Sequence, residues 1–223
     1  MKYRFMLLLL MCLSGLVMSV SAPALELTPT SIRKALVDLP NRQLPEAEQQ
    51  AAQQTLEKTL AWLETAERNQ DALEQLENQL ESAPQQISQA GNALKALLAS
   101  EVDDPSQRLA NASVKELETL LAERNQKLRE LQKDLNDANA LIVTAQTRPE
   151  RAQAEISSNQ TRIQDINNQL KSGKDGSKPL NTDKNDALRA EVLALESKND
   201  LRRAELAGNS VLQELGSSRR DLL

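Results

Sequence analysis

The side chains of this chain that could do chemistry are carboxylates, guanidiniums and amines, and little else. Its 223 residues include no histidine and one cysteine, Cys12. Proton transfer near neutral pH and zinc ligation commonly draw on imidazole or thiolate, so both chemistries lack their usual groups. The densest acidic group is Glu101, Asp103 and Asp104. It lacks the ligand spacing and the Gly turn of a calcium loop, and reads as a solvated interhelical loop. Gly173-Lys174-Asp175-Gly176 lacks both the spacing and the preceding strand of a phosphate loop. No Ser sits in a nucleophile elbow. The expectation is no catalytic, cofactor-binding or metal residue, no cofactor and no enzyme activity.

Three single residues invite a functional reading beside a structural one. Trp62 could stack on a ligand, but its place beside Leu60 and Leu63 suits packing at the edge of an apolar seam. Arg124 interrupts an apolar heptad. It is either a functional contact or a side chain that snorkels to the seam's edge or pairs with a facing carboxylate. Asn159 falls on a seam as well, where a polar residue can set register; an edge position is the alternative.

The elements that carry these residues are helices. Aromatics make up 1% of the chain, and Leu and Ala can seal helix–helix seams but not easily fill a thick core. No stretch alternates with period two. The fold class expected is all-α, built of elongated antiparallel helical hairpins or coiled coil. A short helix is predicted over Leu27 to Leu39, capped by Thr30 or Ser31. A long one runs from Pro45 to Ser82, with Leu56, Leu60, Leu63, Leu73, Leu76 and Leu80 on its buried side. Pro84 is expected to break or kink it, and a further segment reaches Ser100.

Ser113-Val114-Lys115-Glu116 reads as a capping box opening the clearest helix. Its seam steps through Val114, Leu117, Leu121, Arg124, Leu128, Leu131, Leu135, Ala138, Ile142 and Ala145, a heptad that implies a supercoiled partner. Pro149 suits a helix's first turn and pushes Arg148 out of helical backbone. A tight αα-hairpin at Pro149 is therefore expected, with a sharp kink as the alternative. The seam resumes with Ala152, Ile156, Asn159, Ile163, Ile166 and Leu170. Residues 172–182 form a loop, with Gly173 as a left-handed cap. A last helical run covers Asp183 to Leu223, weakened at Gly208-Asn209 and at Gly216-Ser217-Ser218.

Met1 to Ala24 has the form of a secretory signal peptide. Lys2 and Arg4 precede an apolar run from Met6 to Val20, and Ala22-Pro23-Ala24 offers small residues for cleavage before Leu25. The run is short for a membrane anchor. Cys12 would leave with the signal. So would Lys2 and Arg4, which reduces the 27 basic residues to 25 against 32 acidic ones, a net charge of −7. An acidic chain with interspersed basic residues is a poor nucleic-acid binder. The domains expected are the signal at 1–24, N-terminal helical segments at 25–112, and a coiled-coil domain at 113–223 that continues beyond the chain.

Two stretches are more specific than heptads: Gln146-Thr147-Arg148-Pro149-Glu150-Arg151-Ala152-Gln153 and Glu205-Leu206-Ala207-Gly208-Asn209-Ser210-Val211-Leu212-Gln213. With the leader and the Gln-rich helices before them, they resemble the N-terminal periplasmic region of potassium-dependent mechanosensitive channels, the MscK or KefA type, within the MscS-like family. The resemblance implies a pore-less periplasmic part of a tension-gated channel of the bacterial inner membrane, acting during osmotic downshock. Its implied partners are the remaining channel chain, homo-oligomer subunits and the cell wall, with no nucleic acid and no small-molecule substrate. A free periplasmic coiled-coil scaffold, adaptor or cell-wall hydrolase activator is the alternative.

Overall fold

A computed structural model describes residues 27–100 and 106–223. The expected leader, Cys12 and the acidic group Glu101, Asp103 and Asp104 lie outside the described residues. Helix α1 (Pro29–Asp38) leads through a 3-10 turn (Leu39–Arg42) to α2 (Glu46–Ala99). A short α3 (Ser106–Ala110) precedes α4 (Val114–Ser172). A two-stranded ribbon, β1 (Lys174–Asp175) and β2 (Lys178–Pro179), joins α4 to α5 (Thr182–Leu222). The expected all-α class is what the chain adopts, since the ribbon only tightens the turn predicted there as a loop.

The caps are chemical. Thr28, not Thr30 or Ser31, caps α1: its hydroxyl accepts from the Ser31 N–H, and the Ser31 hydroxyl accepts from the Thr28 N–H. Pro29 then occupies the first turn, where its missing N–H costs nothing. Ser113 and Glu116 close the expected capping box of α4. Gly173, at φ 63°, ends α4 in the left-handed conformation.

The break expected as one reading at Pro84 and the hairpin expected at Pro149 are corrected. Pro84 does not break α2, and Pro149 makes no hairpin, because α4 runs unbroken from Val114 to Ser172. Proline removes one intrahelical hydrogen bond, a cost of about 3 kcal/mol. Against this stand Ala138 and Ala145 before the proline, and Ala152, Ile156 and Ile166 after it, all buried. One partner, α5, covers both sides, so α4 buries one continuous seam through the proline. The chain reverses at Gly173 instead.

Helix α5 is the central strut and packs along both α2 and α4. Against α4 it is antiparallel: Arg162 meets Glu191, Asn159 meets Asn199, and Glu155 meets Arg202. Against α2 it is parallel: Asn69 bonds Ala194 and Ser197, and Gln86 bonds Arg219. Gly208 and Gly216 do not interrupt α5. They mark its closest approaches, since a Cβ at Gly208 would lie 2.5 Å from Leu80, and one at Gly216 would lie 2.9 Å from Ile142. At the other end Ile32, Leu39, Leu56, Leu63 and Ala190 form a small core, with Trp62 packed against it.

Candidate functional site

The buried surfaces of α4 and α5 are mostly alanine and glycine, which let the backbones approach. Polar groups set between them specify how the helices meet. Asn199 is 2% exposed, and its Oδ1 accepts from Asn159 Nδ2 at 2.9 Å. Of the two readings of Asn159, the seam reading is the one realised. Glu191 is buried too, and Arg162 donates to it from Nε and Nη2 at 2.7 and 3.1 Å, a fork that holds one orientation.

A larger charged group sits one level further along. Arg202 donates from Nε to Glu155 at 2.6 Å and from Nη1 to Glu205 at 2.8 Å. Lys198 adds a contact to Glu155, and Arg148 lies 3.7 Å from Glu205. Hydrogen bonding from Arg202 outweighs desolvation and holds the Glu155 carboxyl below the ordinary range. Arg148 stays in helical backbone despite Pro149. Its side chain is 18% exposed, and its Nη1 is buried with no hydrogen-bond partner. The sequence marks the stretch around Arg148 but not its ionic partners. The spacing of Arg202 and Glu205 was the available signal, because residues three apart share a helix face.

The second feature is apolar and open. The α4 seam continues N-terminal of Ala138, but α5 does not cover it. Every residue from 121 to 130 is exposed. Leu121 is 61% and Leu128 53% exposed, and Val114, Leu117 and Leu135 are exposed as well. Among the described residues no helix covers this arm with the partner that the heptad implied. Arg124 lies within it, exposed and with no ion pair among the described residues, because no helix faces it. Leu97 and Leu98 at the end of α2 are exposed too.

Among the described residues no group of three or more His, Cys, Asp or Glu could hold a metal ion, and no helix is long and apolar enough to cross a membrane. The wider recesses are open grooves between helices, such as the one along Gln160, Asn167, Glu196 and Arg203. These features define an elongated helical module whose chemistry is recognition between helix faces. Residues 35–223 match the family described as the mechanosensitive ion channel porin domain, MscS_porin, and the chain belongs to that family. No curated protein and no solved structure matches the chain.

Proposed function

We propose that this chain is the periplasmic helical domain of a mechanosensitive channel of the MscK or KefA type, exported by cleavage of the leader at 1–24. In this reading it modulates gating during osmotic downshock and carries no catalytic role. It docks against the remaining channel chain and neighbouring subunits in the inner membrane. Membership of the MscS_porin family supports the channel assignment. One observation carries the step from family to role: the apolar seam of α4 runs on past α5, with Leu135, Leu128, Leu121, Leu117 and Val114 exposed. Fully burying a Leu side chain contributes about 1.5–3 kcal/mol. A stripe of this kind is a surface that gains free energy when another helix covers it.

If closed and open channels cover the stripe to different extents, that difference is the coupling free energy by which the domain shifts the tension threshold. The net charge of −7 adds repulsion between subunits, screened over about 10 Å at 0.1 M salt. Patch recordings would compare the intact channel with a channel lacking Leu25 to Leu223 and with a Leu121→Lys/Leu128→Lys variant, over a range of periplasmic salt. The expected outcome is a shifted threshold in both altered channels. An unchanged threshold and salt response would leave a spacer or a cell-wall docking surface. The stripe also suits a free periplasmic adaptor. Gene sequence beyond Leu223 separates the two: apolar spans support the channel, and an early stop supports the adaptor.

A further inference from the structure

Two polar atoms left unmet between α4 and α5 belong to one layer. Arg148 Nη1 is a buried donor with no acceptor, and Asn209 Oδ1 is a buried acceptor with no donor. Asn209 lies seven residues after Arg202 and seven before Gly216. Residues seven apart share a helix face to within about 20°. Arg202 bonds Glu155 of α4, and a Cβ at Gly216 would touch Ile142 of α4. Asn209 therefore faces α4 as they do. Its level is midway from Glu155 to Ile142, which is that of Arg148 and Pro149. The two stretches that stand out in the sequence, Gln146 to Gln153 and Glu205 to Gln213, thus meet in this layer.

Arg148 is free to change partner. Its Nε stands 3.7 Å from Glu205, beyond hydrogen-bond distance, and Glu205 already accepts from Arg202 at 2.8 Å. Glu205 and Asn209 are neighbours one turn apart on α5, within the swing of an arginine side chain. Arg148 Nη1 is closed off from solvent, so the acceptor that satisfies it comes from the protein. Buried donors and acceptors are nearly always met, because each has given up its hydration.

We propose that Arg148 and Asn209 form a clasp, open in this arrangement, that closes when the guanidinium turns from Glu205 and Nη1 donates to Asn209 Oδ1. Pro149 leaves the Ala145 carbonyl without its helical N–H, so this turn of α4 is held less by its own ladder. The clasp ties that turn to α5 instead. It is a property of the helix pair and does not depend on what covers the α4 arm.

The test is urea unfolding of the purified chain at neutral pH, with helicity by circular dichroism as the check that each variant folds. Asn209→Asp places a carboxylate before Nη1, and the ratio of folded to unfolded chain should be kept or raised. Made in Arg148→Met, the same substitution leaves a buried carboxylate without its cation, and the ratio should fall at least about tenfold. Arg148→Lys keeps a charge near Glu205 but has no Nη1, so a fall of at least about threefold should persist there. Arg148→Met with Asn209→Leu leaves neither atom unmet and should fold better than Arg148→Met alone. An equal effect of Asn209→Asp with and without Arg148 would overturn the clasp and leave Asn209 a filler of space. A fall in Arg148→Met but none in Arg148→Lys would overturn it as well, since charge alone would then carry the effect.

Discussion

The amide pair Asn159–Asn199 sets a register that alanines alone would leave free to slip. Asn159→Ala leaves the Asn199 side chain unpaired where it is 2% exposed. The loss should be about 1–3 kcal/mol, read from urea unfolding. Replacing both by Leu should recover stability while broadening distances between spin labels on α4 and α5. Glu155 makes a different kind of prediction. Its folded-state carboxyl titrates below the ordinary Glu value of about 4.3 because Arg202 hydrogen-bonds the charged form. A depressed carboxylate stabilises the fold above its unfolded value, and that contribution disappears as pH falls through the folded value. Stability of the wild type should thus fall more steeply below about pH 4.3 than that of Glu155→Gln, with the two slopes converging near neutrality.

The long helices are held by what faces them more than by their own residues. Pro149 sits inside α4 because α5 buries the seam on both sides of it. Pro149→Ala restores an N–H to the Ala145 carbonyl and should stabilise the chain, by up to about 3 kcal/mol. The glycines separate propensity from packing. A methyl group added at Gly91 would meet nothing within 4 Å, so Gly91→Ala should gain about 1 kcal/mol. At Gly216 the same methyl meets Ile142 at 2.9 Å and the Ala138 carbonyl oxygen at 3.1 Å. Moving that oxygen means moving α4. Gly216→Ala should therefore lower the melting temperature despite the same gain in propensity.

Two helices of 54 and 59 residues make the molecule long. At 1.5 Å per residue, α4 alone spans roughly 88 Å. Small-angle scattering should give a radius of gyration well above the roughly 17 Å of a compact domain of this size. Spin labels at Leu135 and Ile163 should lie roughly 42 Å apart, as on one continuous helix. A short distance between them would restore the fold-back at Pro149. The unsupported arm of α4 has a consequence at this scale as well. Amide exchange should be fast over residues 114–135 and slow over 152–166, where α5 covers the seam.

The all-α class, the capping box at Ser113, the left-handed cap at Gly173 and the seam positions from Ala138 to Ile166 were legible in the residues, because each rests on local chemistry or on a helical period. The course of the chain through Pro149 was not. Proline's local preference argues for a new helix there, and only the presence of α5 across both halves makes continuity the better solution. Likewise a heptad says that a seam needs a partner without saying which, so Leu117, Leu121 and Leu128 read like Ala145 until the structure leaves them uncovered. Gly208 and Gly216 looked like weak points because propensity sees only the missing side chain. Tertiary packing uses that same absence to bring Leu80 and Ile142 against the backbone of α5. The pairing of Arg148 with Glu205 and of Arg162 with Glu191 depends on the antiparallel return of α5, a long-range arrangement that no spacing along the chain encodes.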